Sequence, residues 1–184
     1  MMLTKKRLAG LLVALSMVAV PAVANGQHGQ HGRELTSLAA ANLAAAAFQD
    51  LEVAEAAGYV STLGPGEGSL GCFEDLAQGG MGVHYLRADL LDASLDITTP
   101  EALVYELDNN GEIIGLVAHE YIVPVDAWTE SKPPILFGRR LHQHPVLPLF
   151  VLHTWIWKDN PAGVFADFNP KVRLCPEGVP VFGE

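Results

Sequence analysis

The stretch that decides the fold runs from Ala102 to Val123 and reads ALVYEL-DNNG-EIIGLVAHEYIV. Two apolar runs rich in Val, Ile, Leu and Tyr flank Asp108-Asn109-Asn110-Gly111, and Asn-Gly between such runs is a strong short-range signal for a β-hairpin. Pairing through Asn110-Gly111 sets Tyr105 opposite Leu116 and Leu103 opposite Ala118. Because successive side chains alternate sides, parity then sorts the hairpin into two faces. Leu103, Tyr105, Leu107, Ile114, Leu116, Ala118, Glu120 and Ile122 form the apolar, inner one. His119 and Tyr121 fall on the other face with Glu106 and Asp108. Glu120 is thus an ionisable group on an apolar face, where it must be paired, protonated or coordinated, because a lone buried charge costs several kcal/mol.

Two more strands lie outward from the hairpin and carry histidines: Val83 to Leu86, with His84, and Leu147 to Trp157, with His153. Two imidazoles and one carboxylate from three strands make the set that holds a divalent transition metal with coordination positions left open. His84, Glu120 and His153 are therefore the candidate ligands. Two other readings stand beside this one: Glu120 paired with Arg87, Arg139 or Arg140 in a structural role, or acid–base chemistry without a metal. Trp155 and Trp157 alternate with His153, and with Tyr105 on the inner face they are candidate walls of a pocket for a small apolar ligand. On that alternative the protein is a non-catalytic binding or interaction module. His142 and His144, flanked by Arg139, Arg140 and Pro145, read as an exposed loop. No catalytic residue is assigned.

Before the strands, Glu34 to Ala57 is built on Ala, Leu and Glu without Gly or Pro and is predicted to form one helix, closed by Gly58. Its apolar stripe, with Leu38, Ala45, Phe48 and Leu51, is expected to pack on the inner face of the sheet. The glycine-rich segment from Leu63 to Gly82 reads as an ordered loop. Within it Gly66-Glu67-Gly68-Ser69-Leu70-Gly71 has the letters of a dinucleotide fingerprint but follows a helix instead of a strand, so no nucleotide cofactor is expected. A Cys-x-x-Cys-His haem-attachment motif is absent as well. Past the last histidine strand, Asp159 to Gly163 is a turn and Val164 to Phe168 is expected as a short strand.

The chain has 184 residues with 11 Lys+Arg against 21 Asp+Glu, a formal charge of −10. Nucleic-acid binding needs clustered cations to displace counterions, so this balance argues against it. Lys5-Lys6-Arg7, the apolar run Leu8 to Val20 and Ala22-Val23-Ala24 form a secretory leader, expected over residues 1–24, which leaves no stable membrane span once it is removed. Residues 25–33, rich in His, Gly and Gln, are expected as a flexible tail, and residues 34–184 as one domain. An exported location, periplasmic or extracellular, makes the even cysteine pair Cys72 and Cys175 a disulfide instead of a thiol site.

Several strings resemble a family of small exported bacterial proteins of uncharacterised activity. They are Gly80-Met81-Gly82-Val83-His84-Tyr85, His119-Glu120-Tyr121, Leu152-His153-Thr154-Trp155-Ile156-Trp157 and Asn160-Pro161-Ala162-Gly163-Val164-Phe165, preceded by Ala54-Glu55-Ala56-Ala57-Gly58-Tyr59. The likeness implies an exported single domain and brings no substrate or catalytic residue with it. The fold expected overall is α+β: a long N-terminal helix packed on a curved, mainly antiparallel sheet, in the form of a cone or open barrel.

Overall fold

The computed structural model describes residues 26–63 and 70–182. The leader lies outside the described residues, as does most of the glycine fingerprint. Helix α1 (Gly26–Ala45), a 3-10 turn (Ala46–Gln49) and α2 (Leu51–Ala56) precede β1 (Val60–Ser61), β2 (Cys72–Asp75) and β3 (Gly79–Leu86). There follow β4 (Ala102–Leu107), β5 (Ile113–Pro124), the small hairpin β6 (Ile135–Leu136) with β7 (Arg139–Arg140), then β8 (His142–Gln143) and β9 (Leu149–Thr154). The main sheet runs β1-β3-β4-β5-β9-β8, with β2 also on β3, and every strand pair in it is antiparallel. The α+β class therefore holds, but the strand ladder is not closed as a barrel would require.

Two expectations about the helix change. It begins at Gly26, so residues 26–33, expected to be loose, continue the helical ladder; Gln and His are adequate helix formers, and only the glycines oppose it. It also breaks at residues 46–50. The Asp50 side chain accepts the Glu52 N–H at 3.0 Å and caps a new helix, as Asp does far better than it serves inside one. The break turns the Phe48 carbonyl to the sheet, where it accepts the Tyr105 hydroxyl at 2.6 Å. Gly58, at φ +94°, closes α2: its N–H reaches Glu55 O while Tyr59 N–H reaches Ala54 O.

The hairpin forms where expected, with Asp108 O accepting from Gly111 N–H at 3.1 Å. Tyr105 pairs with Leu116 as anticipated, but Val104 pairs with Ala118 and Leu103 with His119, so Val117 is an extra residue in β5. A β-bulge of this kind reverses parity for everything beyond it. Leu103, Tyr105, Leu107 and Leu116 do pack under the helical segment with Phe48, Leu51 and Ala54. Past the bulge Tyr121 joins that layer beside Ala41, whereas Ala102, Val104, Ala118 and Ile122 line the opposite face. Both faces are buried. His119, fully buried and paired with Leu103, belongs to the helix side, and Glu120 lies on the face away from the helices, which corrects the expectation that Glu120 would point at them.

The second face is covered from the C-terminal side. A Cβ on Gly80 would meet Arg173 O at 2.0 Å, so only glycine lets the 169–173 segment lie directly on β3. The backbone bonds Asn169 N–H to Gly80 O and Gly80 N–H to Val172 O fix it there. Cys72 and Cys175 are joined, as the sequence suggests, which ties β2 to this segment. Residues 164–168 are not a strand, because Gly163 O closes a turn with Ala166 N–H. Among the described residues no helix is long and apolar enough to cross a membrane.

Candidate metal centre

The register of four adjacent strands assembles the centre. His84 on β3 pairs with Val104, Glu120 on β5 pairs with Ala102, and His153 on β9 pairs with Glu120. Cross-strand partners share a side, so all three chemistry-bearing side chains rise from the face away from the helices. β4 separates His84 from Glu120. The fully buried Ala102 at that point is too small to block the gap, and the long glutamate side chain reaches across it.

Glu120 lies between the imidazoles. Its Oε2 is 3.3 Å from His84 Nε2 and its Oε1 is 3.6 Å from His153 Nε2. The three residues are 4, 7 and 2% exposed for His84, Glu120 and His153. One donor atom from each lies within 4.8 Å of the others, so the group is able to hold a metal ion. The separations are longer than a good hydrogen bond but match the edge of a tetrahedron with ligand bonds of 2.0–2.1 Å, which is about 3.3 Å. His153 Nε2 and His84 Nδ1 are buried with no hydrogen-bond partner.

Burial pushes the His84 imidazole down to about 3, helped by the like charges of His153 and His144, so it is neutral and has a lone pair to offer. Burial raises Glu120, against the pull of His153. None of the arginines considered from sequence is paired with this carboxylate. Arg87 Nη2 is 2.7 Å from Asp89, and Arg139 lies over the Phe165 ring and 3.7 Å from Glu34.

A second layer holds His153 from behind, and its key member, Asp167, was not among the candidates from sequence. Asp167 Oδ1 is 3.4 Å from His153 Nδ1, and its Oδ2 is 3.3 Å from His142 Nε2. Burial works to raise the Asp167 carboxyl, but the hydrogen bonds from His142 and His153 overcome it and hold the group well below the usual carboxylate range. A carboxylate on Nδ1 fixes the tautomer that leaves Nε2 free to coordinate, the arrangement seen behind most metal-bound histidines. His84 is instead set by ring contact, with Phe73 4.7 Å away edge-on.

The ligand set fronts a cavity of about 60 Å³ whose other walls are mainly aliphatic. An adjoining outer cavity of about 170 Å³ is lined by Glu74, His142, His144 and Asp167 among apolar groups. The aromatic pocket expected from sequence does not form. Tyr105 and Trp157 are packed under the helices, and Trp155 packs on the opposite face with Phe73 and Met81. β9 ends at Thr154, so the alternation that would have kept Trp155 and Trp157 together stops before either of them. No protein-family model, curated protein or solved structure matches the chain.

Proposed function

We propose that the protein binds a divalent transition-metal ion through His84, Glu120 and His153 and presents its open coordination positions to a small ligand. The observation that carries this reading is the convergence of three buried donors from three strands, with Glu120 answered, among the described residues, by imidazoles alone. A carboxylate taken out of water needs a counter-charge, and a divalent ion supplies one while also satisfying the bare His153 Nε2. Two nitrogens and one oxygen suit zinc, iron, cobalt, nickel or copper better than calcium or magnesium. Three protein ligands leave room for water or substrate, as in catalytic sites, whereas purely structural sites are closed by a fourth. The leader-like N-terminus and the disulfide support placing the protein outside the cytoplasm.

Elemental analysis of purified protein, joined to thermal unfolding with and without chelator, tests the proposal. The parent should carry about one ion per chain and melt lower once stripped. Glu120→Gln should weaken retention of the ion, because a neutral amide is a poor ligand, and its loss of stability should vanish when the parent is stripped as well. A parent whose melting is indifferent to chelator ends the metal reading and leaves Glu120 a structural group.

A further inference from the structure

The sheet occupies one side of the three donors, so whatever coordination positions they leave open face the cavity. Above the donors the wall is Leu70, Phe73, Met81, Leu91, Leu147 and Leu149. Among the described residues two polar side chains besides the ligands reach that wall: Thr62, whose Oγ1 donates to His84 O at 3.0 Å, and His144, whose Nδ1 accepts from the Val146 and Leu147 N–H groups and whose Nε2 is thereby left as a donor. The outer cavity carries the acidic Glu74 and Asp167.

We infer that the open positions take a small uncharged molecule with one nitrogen or oxygen donor at its end and a short aliphatic body, an inference that rests on the metal reading above. The donor end meets the ion. Among the described residues the body meets mainly hydrocarbon, so each methylene gains burial, while a hydroxyl along it gives up water for a largely aliphatic wall. A second charge on the ligand would have to be buried against this largely aliphatic wall, which is why the ligand is uncharged. Polyols, sugars and phosphates are excluded by the same walls.

The test loads purified protein with cobalt(II), whose visible absorption reports its coordination, and titrates it with acetonitrile, propionitrile and butyronitrile, slender molecules with one nitrogen donor at the end. Binding should shift the cobalt bands, and affinity should rise about three- to fourfold per methylene, at about 0.8 kcal/mol each, until the cavity is full. 3-Hydroxypropionitrile, close to butyronitrile in size, should bind at least tenfold more weakly than butyronitrile. A flat series, equal binding of the hydroxynitrile, or binding that leaves the cobalt bands unmoved overturns this inference while the metal site stands. A parent that shows no bound-cobalt bands at all overturns both.

Discussion

Glu106 and Glu120 sit on neighbouring strands of one sheet, 4 and 7% exposed, and the protein answers them in different ways. Glu106 meets cations and an amide: Lys158 Nζ at 2.5 Å, Arg173 N–H at 3.2 Å and the Arg173 guanidinium at 3.5 Å. Glu120 meets two imidazoles at longer range. The first arrangement is complete without any further group, because charge and hydrogen bonds are both supplied by the chain. The second has imidazole nitrogens facing a carboxylate, and on the proposed reading a metal ion between them completes it. A buried carboxylate by itself says little about function; the nature of its partners is what separates a fold-holding group from a binding group.

That contrast is sharpened first by Glu106→Gln, which carries the largest effect expected at a single pH. It should cost about 2–3 kcal/mol in denaturant unfolding, the range for hydrogen bonds to charged groups, and the cost should be the same with and without chelator. A chelator-dependent cost at Glu106 would erase the distinction from Glu120. Next comes Asp167→Asn, which keeps the shape of the group behind His153 and removes its charge. Metal affinity measured by competition with a chromophoric chelator should fall by about ten- to a hundredfold, while the stripped protein also loses the stability that the depressed carboxyl contributes at neutral pH. Unchanged affinity would mean that Asp167 merely caps His142.

Glu101 supplies a third kind of answer, since its Oε2 accepts the Ile122 N–H at 3.0 Å, with no cation opposite among the described residues. Burial pushes it up to about 8, with the Ile122 amide working against the shift and the charges of Asp92 and Glu120 adding to it. Between its ordinary value of 4.5 and about 8 the native state holds a proton that the unfolded chain has lost. Its contribution is therefore complete below the ordinary value and drains away as pH rises through the native one, by at most about 1.4 kcal/mol per pH unit. Comparing unfolding free energies of the parent and Glu101→Gln from pH 5 to 8 should show the steeper fall in the parent. Parallel profiles would show that Glu101 is ionised in the native state, as a carboxylate with fully adequate partners would be.

The ligand set was legible in the sequence because it needs only strands and parity near each histidine: His84 and His153 stand in apolar runs, and Glu120 interrupts another. What could not be read was the side on which they meet. Nothing in Leu116-Val117-Ala118 marks Val117 as unpaired, and one extra residue exchanges the faces of all that follows. The helix break is carried by a single residue, Asp50, whose capping strength competes with a helix composition that is otherwise uniform. Asp167 was invisible for a different reason. It stands 14 residues from His153 in an irregular segment, and contact between them depends on how residues 164–173 fold back over β3. Trp155 and Trp157 misled because period-two spacing has meaning only while the strand lasts, and β9 stops one residue short.

The bridge between Cys72 and Cys175 spans 103 positions, and His84, Glu120, His153 and Asp167 all lie inside that covalent ring. The exposed loop around Glu130 to Lys132 is also inside it, between the strand that carries Glu120 and the one that carries His153. A protease that cuts there releases no fragment. Glu120 and His153 remain joined through the bridge on one covalent frame, present to each other at an effective concentration that dilution does not lower, and the paired strands bring them back to the same place. The centre can thus survive a severed backbone, a kind of durability that depends on where the ring closes and not on how tightly the core is packed.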